Sequence, residues 1–215
     1  MAEVGPWPDL YPVGLKLEGT PVLVVGAGSV GGRKAARLVA AGARVTIVAP
    51  EAGEVVRALA DAGKVTWHGR VFDDGDVEGA ALVISAAPDR EINEKVARAA
   101  RGRGVWVNVA DTPELCTFYL PAVVDRSPLK VAISTSGACP AYARQLRKRL
   151  DGVFDPEAGR FVELLGRMRE KVKADDPDRV GEASRAFVES EAEEKWLSGD
   201  RTGARELLES LVDET

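Results

Sequence analysis

A short glycine-rich loop near the amino terminus constrains the fold more than any other feature of this sequence. Residues 26–31 read Gly-Ala-Gly-Ser-Val-Gly and fit the pattern G-x-G-x-x-G. The loop follows an apolar run at residues 22–25 and opens an amphipathic stretch at residues 31–41, which Gly42 ends. Because strand, glycine loop and helix come in this order, the sequence predicts a unit that binds a dinucleotide.

Each glycine of the loop has its own physical role in such a unit. Gly26 permits the tight turn, Gly28 lets a pyrophosphate approach the backbone, and Gly31 allows the helix to pack closely on the strand. N–H groups at the start of the helix, together with its positive end, attract the phosphates. We therefore predict cofactor contacts at Gly26, Gly28, Ser29, Val30 and Gly31. The alternative is a glycine-rich turn without a ligand.

The end of the second predicted strand bears on the choice between NAD and NADP. An acid about 20 residues after the loop ordinarily binds the ribose hydroxyls of NAD. Here the strand ends in Ala49, Pro50 and Glu51, so the acid comes slightly late. We predict that Pro50 and Glu51 contact NAD, although Glu51 is equally compatible with a solvated loop acid. No arginine stands at this strand end to favour the 2′-phosphate of NADP.

The first 110 residues alternate short apolar runs with helical patterns. Strands are predicted at residues 22–25, 44–49, 65–68, 81–86 and 105–109. Helices are predicted at residues 31–41, 54–62 and 89–101. This alternation implies a parallel sheet with right-handed crossovers, and therefore an α/β fold of the Rossmann type.

The pattern changes after Asp111. Apolar runs at 118–123 and 130–135 flank the turn sequence at 125–128, and helical patterns follow at 140–150, 159–173, 178–197 and 201–212. Residues 1–150 carry 19 basic and 16 acidic side chains, whereas residues 151–215 carry 10 and 18. This shift in charge marks a boundary. We predict three parts, at residues 1–112, 113–150 and 151–215.

Composition excludes several classes of function. A net charge of −5 provides no overall basic field for nucleic acid. One histidine, His68, and two cysteines, Cys116 and Cys139, cannot build a cysteine–histidine metal site, so no bound metal is expected. The apolar runs are too short to span a membrane, and residues 1–12 lack the features of a signal peptide. The expected location is the cytoplasm.

Several sequence blocks occur together in an order that is specific to one family. Residues 15–51 contain the glycine loop and end in APE, residues 108–111 read NVAD, residues 121–126 read PAVVDR, and residues 129–150 read LKVAISTSGACPAYARQLRKRL. This set resembles the precorrin-2 dehydrogenase and sirohydrochlorin ferrochelatase family, which forms the amino-terminal module of sirohaem synthases. The resemblance covers residues 15–150 in blocks.

The resemblance implies an NAD-dependent oxidation of precorrin-2 to sirohydrochlorin, a step of sirohaem biosynthesis. It leaves open whether the chain also inserts iron. It further implies a homodimer whose contacts come from the segment 113–150, which also meets the tetrapyrrole substrate. Residues 151–215 would form a helical domain that closes over the site.

Asp111 is the catalytic residue that the resemblance implies, because the acid of the NVAD block falls on it. Ligands of a doubly wound sheet bind beyond the carboxyl ends of its strands, and Asp111 follows the fifth one. A carboxylate there can accept a proton from a reduced tetrapyrrole as hydride leaves for the nicotinamide. Alternatively, Asp111 caps the turn that follows at Thr112.

Further residues are predicted to contact NAD or the substrate. Ala86 and Ala87, after the fourth strand, are expected to lie against the cofactor. Asn108 either contacts the cofactor or has a structural role. Thr135, Ser136 and Gly137 precede a helix and suit an anionic ligand, although many family members have a glycine where Ser136 stands.

The helix at 140–150 is basic, and Arg144, Arg147 and Lys148 share one face of it. Precorrin-2 carries eight carboxylates, so a basic surface near the site is physically required, and these three residues are predicted to bind the substrate. The alternative is a solvated helix face, or ion pairs with the acidic C-terminal residues.

Two other functions share parts of this pattern. A non-catalytic NAD-sensing regulatory module would keep the glycine loop, but it predicts an acid at the tip of the second strand and needs no NVAD or STSG block. A short-chain reductase would need a Tyr-x-x-x-Lys pair, which the chain lacks. His68 and both cysteines are expected to have no chemical role, and Trp67 and Trp106 are expected to be core aromatics.

Overall fold

The computed structural model describes residues 7–214 of the chain. These residues form two compact units that divide between Leu120 and Pro121. Within the described residues, no helix is long and apolar enough to cross a membrane. The predicted three-part division at 112/113 and 150/151 stays a prediction.

The first unit contains a parallel five-stranded sheet with the strand order β3-β2-β1-β4-β5. The strands are β1 (Pro21–Val25), β2 (Arg44–Val48), β3 (Val65–His68), β4 (Leu82–Ser85) and β5 (Trp106–Val109). Val24 of the central strand pairs with Ile47 on one side and with Ile84 on the other. The predicted α/β fold of the Rossmann type is confirmed, and all five predicted strands are present within one or two residues.

Three helices cover the sheet: α1 (Ser29–Ala40), α2 (Glu54–Asp61) and α3 (Arg90–Gly102). Alternate side chains of β1 point to opposite faces, so Val22 and Val24 join one apolar cluster while Leu23 and Val25 join the other. Between β3 and β4 the chain forms only a 3-10 turn at Asp74–Val77. Both faces of the central strand are therefore buried, which explains its unbroken apolar sequence.

The second unit combines a hairpin with five helices. The antiparallel strands are β6 (Ala122–Arg126) and β7 (Leu129–Ile133). The helices are α4 (Pro140–Asp151), α5 (Pro156–Asp175), α6 (Val180–Glu189), α7 (Ala192–Leu197) and α8 (Arg201–Glu214). A separate core of buried side chains joins α5 to the later helices, and it includes Phe161, Leu164, Phe187, Trp196 and Leu208.

The structure corrects three expectations about single elements. The strand predicted at 118–123 is wrong, because β6 begins at Ala122 and includes Asp125 and Arg126, which were expected in the turn. The single helix predicted at 178–197 is also wrong. Ser190 is extended, its hydroxyl donates to the carbonyl of Phe187 at 2.8 Å, and the chain starts a new helix at Ala192.

Trp106 is the third correction, since it was expected in the core and is 49% exposed. It is the first residue of β5, at the edge of the sheet, and its neighbour Val107 faces the core instead. Trp67, in contrast, packs against the first apolar cluster and donates its indole N–H to the carbonyl of Ala49 at 3.0 Å.

Candidate functional site

A cleft of about 930 Å³ opens at the carboxyl ends of the parallel strands in the first unit. This is the edge where a doubly wound sheet binds its ligands. Nine residues of the predicted site line it: Gly26, Gly28, Ser29, Val30, Pro50, Glu51, Ala86, Ala87 and Asp111. The fold thus brings together segments that are up to 85 residues apart in the sequence.

The glycine loop fits a pyrophosphate. Gly26 has a φ of 95°, and a side chain there would overlap the carbonyl of Ala86. A side chain at Gly31 would overlap the carbonyl of Gly26, so this buried glycine sets the close approach of helix to loop. A Cβ at Gly28 would meet no protein atom within 4 Å. The room in front of Gly28 is therefore free for a ligand.

The start of α1 favours a negative charge in that room. Gly28 is the N-cap residue, it offers no side-chain cap, and the first turn of the helix contains no acid. The N–H groups of this turn and the positive end of the helix are thus available for phosphate oxygens. The residues present fit the diphosphate of a dinucleotide.

The segment after β2 is held beside the glycine loop. The N–H of Gly53 donates to the carbonyl of Ala27 at 2.9 Å, which ties the two segments together. Ala49 is buried, whereas Pro50 and Glu51 are exposed and line the cleft. Glu51 therefore lines the cleft, and its contact with a ribose stays a prediction.

The segment after β4 is held by two residues that the sequence reading missed. The buried hydroxyl of Ser85 donates to Asn93 Oδ1 at 2.6 Å, and Asn93 Nδ2 donates to the carbonyl of Ala87 at 2.9 Å. Ala86 N–H also donates to the carbonyl of Val25 at 2.7 Å. A buried asparagine on an otherwise apolar face of α3 was the signal that could have found this support.

Asp111 lies at the edge of the cleft, and it is exposed. Its φ is 57°, a left-handed conformation that aspartate tolerates better than most residues. The 3-10 turn that follows, Pro113–Leu115, has Thr112 as its N-cap residue. The alternative in which Asp111 caps this turn therefore finds no support.

Asn108 lies beneath the cleft and is absent from its lining. Its Oδ1 accepts a hydrogen bond from Lys34 Nζ at 3.2 Å, and its Nδ2 donates to the carbonyl of Phe118 at 3.0 Å. Burial lowers the pKa of Lys34 below its ordinary value. Burial also raises the pKa of the neighbouring Cys116 thiol. Among the predicted cofactor contacts, Asn108 and Gly31 are the two that do not line the cleft.

In the second unit, residues 134–137 form a compact loop before α4. Ser134 Oγ accepts from the N–H of Ser136, and Thr135 Oγ1 accepts from the N–H of Cys139, both at 3.1 Å. Ser136 has a φ of 51° and Gly137 a φ of 87°. A glycine at the Ser136 position would adopt this conformation more readily.

The basic face of α4 is open to solvent. Arg144 and Lys148 are exposed, and Arg147 is partly exposed. The ion pairs formed within residues 7–214 include none of these three side chains. Their alternative role as partners of the acidic C-terminal residues therefore finds no support.

Two family models match the sequence. An NAD(P)-binding family matches residues 13–122, which contain the whole cleft. A second family, described as "Sirohaem biosynthesis protein central", matches residues 126–152, which run from the end of β6 through β7 and α4.

Among curated proteins, the "Siroheme synthase" of Methylococcus capsulatus is 42% identical over 209 residues, covering 95% of this chain and 44% of the relative. "Siroheme synthase 1" of Halorhodospira halophila is 41% identical, covering 95% of this chain and 43% of the relative. The chain thus spans less than half the length of these relatives. A solved structure, "SirC, precorrin-2 dehydrogenase", is similar with a TM-score of 0.78 at 24% identity, covering 94% of this chain and 98% of that one.

Proposed function

This chain belongs to the NAD(P)-binding family, and from that premise we propose that it oxidises precorrin-2 to sirohydrochlorin with NAD, in the synthesis of sirohaem. The observation that carries the proposal is the presence of Asp111 and the glycine loop in one cleft. The matches to siroheme synthases at about 40% identity support the choice of substrate.

The cleft would hold NAD with its pyrophosphate against Gly28 and the start of α1. The adenosine ribose would meet Glu51, and the nicotinamide end would lie beside Ala86 and Ala87, close to Asp111. When bound, NAD supplies the hydride acceptor. Glu51 favours NAD, because its carboxylate would repel the 2′-phosphate of NADP.

The protein's own contribution to the chemistry is a proton acceptor at a defined place. Oxidation removes a hydride and a proton from the substrate. The Asp111 carboxylate, exposed at the rim of the cleft, would accept the proton. Asp111 could also take pyrrole protons if the protein inserts iron into the product.

The second unit would bind the substrate's carboxylates. Arg144, Arg147 and Lys148 offer three cations on α4, and the loop before it offers Thr135, Ser136 and Gly137. Guanidinium groups bind carboxylates in bidentate fashion, so this surface suits an acidic tetrapyrrole. We further propose a homodimer that uses residues 113–150, a closing helical domain at 151–215, and a cytoplasmic location.

The proposal is tested with purified protein, precorrin-2 and NAD, by following the absorbance of sirohydrochlorin. We expect turnover with NAD and slower turnover with NADP. Binding of NAD without any turnover, with either cofactor, would overturn the proposal and favour a regulatory NAD-sensing module. Adding ferrous ion to sirohydrochlorin and the protein tests iron insertion separately.

A further inference from the structure

Lys34 is a partly buried lysine that has no role in the proposed reaction so far. It lies on α1, three residues after the last glycine of the loop, and it is partly buried. Its side chain reaches from α1 to Asn108 on β5, the edge strand of the sheet. Burying an ammonium group is costly unless it has partners, so a lysine at this position needs a physical reason.

Asn108 connects Lys34 to the segment that carries Asp111. The asparagine accepts from Lys34 and donates to the carbonyl of Phe118 at 3.0 Å. Its Nδ2 also lies 3.6 Å from Cys116 Sγ, which in turn accepts from the N–H of Val109 at 3.2 Å. Residues 109–118 therefore form a loop whose two ends are joined through Asn108 and Cys116. Asp111 is one of the residues of this loop.

The ionisable groups around Lys34 either favour or oppose its charged form. Asp111 and Cys116, both in or at the end of this loop, favour its charged form. Arg33 and Arg37 on its own helix oppose that form, and burial opposes it most, so the pKa of Lys34 is lowered. The carboxylate of Asp111 is thus one of the groups that favour the charged form of Lys34.

Resting on the function proposed above, we propose that Lys34 is a positioning residue for Asp111. Through Asn108 it holds the loop in the shape that presents Asp111 to the cleft, and its ammonium provides the opposite charge behind that carboxylate. Lys34 is absent from the cleft lining. It should therefore affect the proton-transfer step without contacting NAD.

The first test compares Lys34→Met and Lys34→Arg with the wild type. We expect Lys34→Met to lower kcat by about 10- to 100-fold, because a small misplacement of a catalytic group can cost about 10²-fold. The KM for NAD should change by less than about twofold, because Lys34 does not line the cleft in which NAD would bind. Lys64→Met is the matched control, because Lys64 is an exposed lysine of the same unit, and it should behave as wild type.

The pH dependence of kcat distinguishes an effect of the Lys34 charge from an effect of Lys34 packing. In the wild type, kcat should fall on the alkaline side as Lys34 loses its proton, below the ordinary range of lysine. Lys34→Arg should move this fall to higher pH, because a guanidinium stays charged. An alkaline limb that is identical in wild type and Lys34→Arg would contradict the proposal.

A measurement without turnover keeps this inference separate from the proposed function. Hydrogen exchange in peptides covering 109–118 should be faster in Lys34→Met and unchanged in Lys64→Met. In a Cys139→Ser background, alkylation of Cys116 should also be faster in Lys34→Met, because a loosened loop exposes the thiol and relieves the burial that raises its pKa. If wild type fails to oxidise precorrin-2, the proposed function is wrong. If both structural readouts are unchanged, the role of Lys34 is wrong whatever the substrate.

Discussion

At the scale of single residues, Gly28 and Gly31 differ in what a methyl group would meet. A Cβ at Gly28 enters open space and its φ of −72° suits any residue, so Gly28→Ala should fold normally. The methyl would occupy the room of the pyrophosphate, and we expect NAD to bind on the order of tenfold more weakly. Fluorescence titration with NAD and thermal unfolding measure the two effects.

Gly31→Ala is the matched variant, because its methyl would overlap the carbonyl of Gly26. Overpacking of this kind costs about 1–3 kcal/mol, so the variant should unfold at a lower temperature. Equal stability losses in the two variants would contradict the assignment of ligand room to Gly28 and packing to Gly31.

Asp111 calls for a substitution that respects its left-handed backbone. Asparagine tolerates a φ of 57° and keeps the shape of the side chain, whereas alanine would add strain. Asp111→Asn should lose precorrin-2 oxidation by a factor of about 10² or more, because a carboxamide cannot accept the proton. Its affinity for NAD should stay within about twofold of wild type, as measured by titration. Retained oxidation would remove Asp111 from its role.

The place of the glycine loop and of Asp111 at the cleft could be predicted because each belongs to a short pattern in the sequence. Lys34 could not, since its partner lies 74 residues away and no local pattern connects them. Asn93 stood out only as an asparagine on an apolar helix face, which does not identify its partners 6 and 8 residues away. Asn108 was found by its place in a sequence block, but its side chain turns to Lys34 and Phe118. Side-chain direction depends on contacts that only the folded sheet creates.

At the scale of elements, the segment after β4 depends on α3 for its shape. Asn93 accepts from Ser85 and donates to the carbonyl of Ala87, so it couples helix, strand and cleft wall. Asn93→Ala leaves a buried hydroxyl and a carbonyl without this partner, which costs about 1–3 kcal/mol. We expect a lower unfolding temperature and a higher KM for NAD.

Asn93→Asp refines this prediction, because an ionised carboxylate can still accept from Ser85 but cannot donate to Ala87. It should therefore raise the KM for NAD as much as alanine does. A KM equal to that of the wild type in both variants would show that the segment keeps its shape without α3.

Elements of the first unit were predictable because buried parallel strands have continuous apolar sequences. The hairpin was placed less well, since β6 is partly exposed and includes charged residues that resemble a turn. The break at Ser190 was missed for a related reason. Ser190 is extended, and its hydroxyl oxygen accepts from the N–H of Ala192, the first residue of α7, at 3.3 Å, a contact that the charged, helix-like sequence around it does not reveal.

At the scale of the whole molecule, charge and chemistry are distributed between two compact units. The first unit contains the entire cleft lining, and the second contains the basic α4 and the acidic helices. The net charge of −5 therefore conceals a basic portion that suits the proposed acidic substrate. Sequence reading could find this imbalance, because a count of charges along the chain needs no knowledge of contacts.

Separate cores lead to a prediction about stability. Leu208 is fully buried in the core of the second unit, and removing its side chain to alanine costs about 2–5 kcal/mol. Leu208→Ala should therefore speed hydrogen exchange in peptides of α5, α6 and α8, which contribute to that core.

The same variant should keep its affinity for NAD, because every residue that lines the cleft belongs to the first unit. Oxidation of precorrin-2 should weaken through a higher KM for the substrate, since the proposed carboxylate contacts lie on α4 of the destabilised unit. Ile84→Ala is the matched variant of the first unit, because Ile84 is buried in the core beside the cleft. This variant should lose affinity for NAD. A loss of NAD affinity in Leu208→Ala equal to that in Ile84→Ala would show that the two cores do not act separately.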